Sequence, residues 1–513
     1  MNNSYSAIII GAGHNGLVAA AYLARQGKKV LVLERRAIVG GSVVTESFGD
    51  GFTADSVFTG GSLRHDIVKD LKLSLPEVKE KPAFISLQPN GNHLTLDAES
   101  IKRISEKDAA RFPEFVRFMN KAAQIMDVTY ATIMPRLPMN FGIKEGYGLL
   151  EWALELKLAG RKDMLNFIRA LPMTVQELVE EYFESEVVKA AICAVAIHGS
   201  TLGPMGAGTG YTLIHNWMNR GGLAHKNVGK AGEITTALAN AVKAFGGEIR
   251  TEAEVTSIRV EAQVAKGVVL ANGEEISANV ILSAADPKHT LLKLVGPREL
   301  PPEFVWHTQS IKMRGSVAKI HLLLDDVGTG LAPVHAQGRP HTPSGHIGSP
   351  QQLPQPTIVL APSIKYLEKA YDAAKYGEIS EKPYLEITTS GNTVSIHFQF
   401  APYNLKNGSW NMENGRVEKL AIDTLAEYFP NLKSSIVNRK LITPLDLEQT
   451  YGLTEGDLNH GQLMLDQFLF MRPIPGWSNH KTPIDNLYLC GSGVHGGGGV
   501  SGAAGRNAAN ALN

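Results

Sequence analysis

The stretch YSAIIIGAGHNGLVAAAYLARQGKKVLVLERR, Tyr5 to Arg36, decides the fold. Ala7 to Ile10 is an apolar run that reads as a buried strand. Gly11, Gly13 and Gly16 follow in G-x-G-x-x-G spacing, and Leu17 to Ala24 reads as a small-residue helix. A second apolar strand, Val30 to Leu33, ends on Glu34. In this pattern Gly11 permits a tight turn, Gly13 lets a pyrophosphate approach the backbone, and Gly16 lets helix and strand pack closely. The helix start then aims free N–H groups and a partial positive charge at the phosphates. Glu34 lies near the roughly 20-residue offset of the acid that holds ribose hydroxyls. A glycine triplet alone says little. Strand, turn, helix, strand and acid in order specify a dinucleotide site.

Working outward, Gly40-Gly41 comes next, a second pair that a simple NAD-binding fold does not need. Flavoproteins of the glutathione-reductase type often carry one, where the chain passes close to ribose and phosphate. The C-terminal segment NLYLCGSGVHGGGGVSGAAGRNAANAL, Asn486 to Leu512, repeats the logic. A strand from Asn486 to Cys490 runs into Gly491, a cluster at Gly496 to Gly499, and a helix from about Val500. A helix start of this kind can hold the electron-rich edge of a flavin ring.

Composition bounds the rest. A chain of 513 residues can bury large cores and is expected to form two domains. Lys+Arg and Asp+Glu number 50 each, so charge gives no case for nucleic acid or an anionic membrane surface. The two cysteines, Cys193 and Cys490, lie far apart and outside any C-x-x-C, which supports neither a disulfide framework nor a zinc site. The fingerprint begins almost at Met1, leaving no room before it for a signal or transit peptide. No uninterrupted apolar run reaches ~18 residues. The expectation is a cytoplasmic protein, with contact at the periphery of a membrane left open.

The N-terminal nucleotide unit runs to about Asp97. From Ile101 to Arg220 the pattern is helical, as in FPEFVRFMNKAAQIM, where Phe115, Phe118, Met119, Ala122 and Ile125 recur at three- and four-residue steps. Gly232 to Phe245 reads as a helix, and Gly246 to Pro287 alternates as a three-stranded meander. Its Asn272-Gly273 pair tolerates positive φ at both central turn positions. Val317 to Leu324, Leu385–Thr389 and Thr393–Phe400 read as strands, and Val417 to Phe429 as a helix. The fold class is α/β with an α+β insert: a glutathione-reductase-type Rossmann FAD-binding domain interleaved with a mixed substrate domain. The expected boundaries are 1–100, 225–288 and 442–513 for the FAD domain, and 101–224 and 289–441 for the substrate domain.

Three motifs, GAGHNGLVAA…LERR…GG, AEVTSI…SAADP and NLYLCGSGVHGGGGVSGAAGRNAA, together resemble the phytoene-desaturase-related flavoproteins. GSTLGPMGAGTGYTLIHNW from Gly199 and TPLDLEQTYGLTEGDLNHGQLMLDQFLFMRP from Thr443 resemble its branch named for pyridine nucleotide-disulfide oxidoreductase domains. The resemblance spans nearly the whole chain. It implies FAD at Gly11, Gly13, Gly16, Glu34, Gly40 and Gly41, with Arg35 and Ser42 beside them, and the Val255 backbone against the adenine. It also implies that Gly491, Ser492 and the turn through Gly499, Val500 and Ser501 hold the pyrophosphate and flavin. Ser42 stands where many relatives have arginine, and no cysteine pair matches the disulfide in the branch's name.

A flavin performs the difficult step, and the protein supplies position, electrostatics and exclusion of water. By the resemblance, His460, Asp466, Gln467, Arg472 and His495 are candidates near it. Asp466 could serve as a base raised by an apolar pocket, or as a helix cap or partner for Arg472. His198 and His215 read as structural histidines or as cavity lining. Lys230 reads as a helix-start residue, or as a counterpart of the water-positioning lysine of amine oxidases. No H-x-x-x-H or H-E-x-x-H occurs, so no metal is expected. The leading reading is an FAD-dependent dehydrogenase or desaturase that removes hydride from an apolar, isoprenoid- or lipid-like substrate. The Met- and aromatic-rich stretch from Tyr130 to Leu171 would form an apolar tunnel or a shallow membrane-facing patch, and oxygen, a quinone or another carrier would accept the electrons. The alternatives are a flavin amine oxidase, a flavin-binding regulatory protein, or a non-redox isomerase on the same scaffold.

Overall fold

The computed structural model describes residues 4–49, 51–58, 61–76, 82–135, 143–158, 160–225, 230–327, 331 and 356–512. The fingerprint folds as its pattern requires. Strand Ser4–Ile10 enters the glycine turn, helix His14–Arg25 leaves it, and strand Val30–Leu33 returns parallel beside the first. The first sheet runs Glu248–Arg250, Val30–Leu33, Ser4–Ile10, Glu275–Ser283, Val264–Leu270, Val255–Glu261. Its long strand Glu275–Ser283 changes partner along its length. The first part pairs antiparallel with Val264–Leu270, and the end pairs parallel with Leu487–Leu489. That single strand therefore brings the C-terminal segment beside the N-terminal fingerprint.

Helices His14–Arg25, Ala231–Ala244 and Ala503–Asn510 pack together next to this sheet. Small residues make the approach close: a Cβ on Gly505 would sit 2.1 Å from the Asn15 carbonyl oxygen, and one on Gly16 would sit 2.2 Å from that of Gly11. The C-terminal helix begins at Ala503 rather than near Val500, because Gly502 occupies its N-cap with a φ of +76°.

The second sheet runs Ile436–Ile442, Val317–Leu324, Thr393–Gln399, Tyr384–Ser390, Thr357–Leu360, Phe84–Leu87, Leu94–Thr95. Both of its faces are buried, and they differ in chemistry. One carries Ala318, Ile320, Leu322, Ile387, Val394, Ile396 and Phe398, in a core shared with helix Trp410–Ala426. The other carries Lys319, His321, Glu386, Thr388, Ser395, His397 and Gln399, all buried. Period-two alternation places these polar residues on one side. A helical body, including Glu106–Ala131, Glu186–Ile197 and Thr209–Arg220, forms a third core.

Two expected boundaries shift. Phe84–Leu87 pairs parallel with Thr357–Leu360, so the second unit begins before residue 101. Leu291, Leu294, Leu300, Phe304, Ile311 and Met313 pack with Ile8, Val255 and Ile281, so the first unit extends past residue 288. Short apolar runs do not announce which sheet they will join; partner surfaces decide. The hairpin turn also differs from expectation. Only Gly273 has positive φ (+86°), while the Asn272 side chain accepts from Glu274 N at 2.9 Å. Of the Tyr130–Leu171 stretch, residues 136–142 and 159 lie outside the described residues. Among the described residues no helix is long and apolar enough to cross a membrane.

Candidate active site

Two concavities flank the glycine turn that follows Leu487–Leu489. The first is a cleft lined by Gly11, Gly13, Gly16, Glu34, Arg35, Gly41, Ser42, Val255, Gly491 and Ser492. Sequence positions separated by almost the whole chain therefore meet on one surface. Glu34 is buried there, and its two carboxylate oxygens accept from Ala12 N (2.8 Å) and Arg36 N (3.0 Å). Those bonds fix the carboxylate at the end of its strand. Arg35 instead donates to the Gln449 and Thr450 carbonyls (3.0 and 2.9 Å). Gly40 stays behind the cleft, its N–H donating to the Ala12 carbonyl at 2.9 Å.

Two histidines in the cleft wall carry ring nitrogens that are buried and without partners, His14 Nε2 and His460 Nδ1. Burial, with the neighbouring His460, lowers His14 to about 4, so it is a neutral donor and acceptor at physiological pH. A pyrophosphate would supply the acceptors these nitrogens lack. With the glycine turn and Glu34, the residues present fit FAD.

The second concavity is lined by Val57, Phe58, His198, His215, Asn219 and Arg220, with Gly499 and Val500 from the glycine turn. The wall between the two is short. Leu458 and Asn459 line the inner cavity, and His460 lines the cleft. Asp457 shapes this wall by accepting from Asn459 N (2.9 Å) and Gly461 N (3.3 Å). Arg472, 3% exposed, fastens it to the glycine turn by donating to the carbonyls of Asn459 (2.6 Å), Gly461 (3.2 Å) and Ser492 (2.8 Å). On the other side the turn rests directly on helix Thr209–Arg220. A Cβ on Gly499, whose φ is +66°, would lie 2.2 Å from Asn219 Oδ1.

His225 and His397 also line the inner cavity, and Glu386, from the polar face of the second sheet, lies against them. Glu386 accepts from Arg220 (2.9 Å), bonds His225 Nε2 (2.6 Å) and faces His198 Nδ1 at 3.2 Å. Burial opposes its ionisation, but Arg220 and the two imidazoles overcome this and hold the carboxyl well below its usual range. Burial lowers His198 to about 3, and it lowers Lys319 in the same cluster to about 8. The ligand atoms of His198, His225 and Glu386 lie within 4.8 Å of one another, a metal-type donor set that no sequence spacing could reveal. Arg220 already meets the carboxylate's charge, and a divalent cation beside that guanidinium would be repelled.

The expected site residues thus divide. Gly499 and Val500 belong to the inner cavity, and Ser501 lines neither space; its carbonyl accepts from Arg64 N at 3.0 Å. Asp466 is no base in an apolar pocket: its side chain is 56% exposed and paired with Lys312, and Arg472 spends its donors on carbonyls. His495 is fully buried, bonds the Thr129 carbonyl at 2.9 Å, and lines neither space. Gln467 is buried and donates to the Pro473 carbonyl. Lys230 borders a surface groove, whereas Lys319 is the buried lysine among the described residues. The Tyr130–Leu171 stretch gives the inner cavity no described residue. Cys193 and Cys490 are free, buried in different cores, with thiols pushed up by burial.

Residues 16–340 match the family described as flavin containing amine oxidoreductase. Pyridine nucleotide-disulfide oxidoreductase domain-containing protein 2 of Rattus norvegicus is 33% identical, over 98% of this chain and 92% of that protein. One component of the limonene dehydrogenase of Castellaniella defragrans is 26% identical, over 98% and 93%. A lycopene-forming phytoene desaturase of Pantoea ananas is 25% identical, over 97% and 96%. Among solved structures, an oxidoreductase from Methanosarcina mazei superposes with a TM-score of 0.58 at 16% identity, covering 99% of each chain.

Proposed function

The chain belongs to the flavin-containing amine oxidoreductase family, is related to the phytoene desaturases and uses FAD, and from that premise we propose that it is a dehydrogenase taking hydride from a C–H bond of an isoprenoid- or lipid-like substrate. The observation that carries this reading is the inner cavity: a part-open pocket lined by residues of both units, with Gly499 and Val500 of the glycine turn in its wall. FAD, when bound, supplies the two-electron acceptor. The chain's own residues hold it and shape the space beside it. Gly11, Gly13, Glu34, Ser42, Gly491 and Ser492 would hold the nucleotide, with Val255 at the adenine. Arg472 fixes the wall between nucleotide and substrate. Val57, Phe58, Leu458 and Val500 offer apolar contact at the turn.

Relatives named for limonene and phytoene support a substrate with an isoprenoid skeleton. Against the amine oxidase alternative, no tyrosine or tryptophan is among the described residues lining the inner cavity, so no aromatic cage is formed there. Electrons would then pass to oxygen, a quinone or another carrier. The test is anaerobic incubation of the FAD-loaded protein with a panel of isoprenoids, lipids and amines, following the flavin absorbance. Bleaching by members of the first two classes is expected. Bleaching by amines alone would sink the proposal.

A further inference from the structure

Strand Val30–Leu33 runs into Glu34-Arg35-Arg36, and these three side chains part company. Glu34 turns back to the Ala12 and Arg36 N–H groups. Arg35 and Arg36 instead reach the C-terminal end of helix Pro444–Tyr451. The last carbonyls of a helix have no partner inside it. Those of Glu448 and Leu447 accept from the N–H groups of Gly452 (3.0 Å) and Leu453 (3.2 Å), which leaves Gln449 and Thr450. Arg35 donates to both, at 3.0 and 2.9 Å, and its cation meets the negative end of the helix dipole. The fit is close: a Cβ on Gly452, whose φ is +72°, would lie 3.3 Å from Arg35 Nη2.

Arg36 makes a second contact with the same helix end. Its guanidinium lies 4.7 Å from the centre of the Tyr451 ring. It pairs with Glu46 and donates to the Gly41 carbonyl at 3.3 Å. Glu46 in turn accepts from Tyr451 Oη at 2.6 Å and from Ser56 Oγ. The side chains of Arg36 and Glu46 are only 15% and 16% exposed, so solvent screens this pair less than one on the surface.

The helix belongs to the second unit and follows its edge strand Ile436–Ile442 directly. Its own fold does not need the arginines. Thr443 and Asp446 close a capping box at its start, and Leu447 and Leu453 pack with Val57 and Ile442. What the arginines set is the place of its end. Tyr451, Gly452 and Leu453 line the nucleotide cleft together with Glu34 and Val255, the residues read above as meeting ribose and adenine. The second unit therefore supplies one wall of that end of the cofactor site.

We infer that Tyr451, Gly452 and Leu453 clasp the adenosine half of FAD, and that Arg35 and Arg36 are positioning residues that hold this clasp against the nucleotide. The inference rests on the FAD site and is independent of which substrate the flavin oxidises. A clasp of this kind acts on FAD and has nothing to hold in FMN, which lacks the adenosine.

The test is flavin release from the full chain, loaded with FAD or exchanged to FMN, followed by the rise in flavin fluorescence on dilution. Arg35 is exposed, so its replacement leaves the cores intact. Arg35→Met is expected to speed FAD release about ten-fold and FMN release by less than about two-fold. Arg35→Lys keeps a cation and a donor for the carbonyls, so FAD release is expected within about three-fold of the parent. Tyr451→Leu removes both the bond to Glu46 and the ring beside Arg36, and is expected to act like Arg35→Met. FAD and FMN released faster by the same factor would mark a general loss of structure and overturn the inference. So would an Arg35→Met protein that keeps FAD like the parent. Release is read without substrate, so neither result bears on the hydride reading.

Discussion

Lowering the pH from about 7.5 to about 5 is expected to remove much of the folding stability, because folding buries several imidazoles in neutral form. Burial lowers His198, His215 and His321 to about 3, and His480 and His495 to about 4. Unfolded, each titrates near the ordinary value of 6.5. The folded values lie below the unfolded one, so between them the unfolded chain binds more protons and stability rises with pH. The contribution is complete above about 6.5 and is lost as pH falls from there toward the folded values. At about pH 5 each unfolded imidazole is almost fully protonated and each folded one almost wholly neutral, a difference of about 2 kcal/mol per histidine. The five together amount to on the order of 10 kcal/mol, as large as the net stability of a typical domain. The assay is urea denaturation followed by circular dichroism across this pH range. His480→Gln, which can keep the bond to the Leu489 carbonyl, is expected to flatten the slope by about 1.4 kcal/mol per pH unit. A midpoint that stays level down to about pH 5 would refute the reasoning, since at least one group of these histidines would then have to be charged or solvated in the fold.

Three other outcomes are expected. Glu34→Ala leaves the fixed Ala12 and Arg36 N–H groups without their acceptor and removes the ribose partner, weakening FAD by about 1.5–3 kcal/mol; retention of FAD through dilution and ultrafiltration would contradict that role. Arg472→Met strips donors from three carbonyls at the wall between the two concavities and is expected to destabilise by about 3 kcal/mol in chemical denaturation, so a change within about 0.5 kcal/mol would count against the wall's dependence on it. Reduction by NADH or NADPH is expected to be slow, because the chain carries one complete dinucleotide fingerprint; rapid bleaching in a stopped-flow mixing experiment would be decisive against this.

The thirty residues from Tyr5 to Glu34 determined the nucleotide half of the protein by themselves. A buried strand, a turn that only glycines permit, a small-residue helix and an acid at the next strand's end are local features, and local sterics settle them. The C-terminal glycine segment was equally legible, although its helix starts three residues later than expected because Gly502 caps it. The resemblance correctly named the family and FAD. The chemistry of the inner cavity was not legible. Asp466 comes from the motif that precedes the flavin turn and His495 from the turn itself, yet tertiary packing exposes one and buries the other away from both concavities. Glu386, His225, His397, Arg220 and Lys319 lie up to 177 residues apart, on elements with no motif to link them. One signal was present: strands Val317–Leu324, Tyr384–Ser390 and Thr393–Gln399 carry polar residues at alternate positions. Alternation alone reads as a face turned to water. Only the fold, by covering both faces of the second sheet, turns that polar face inward, where every group must find a partner or bind one.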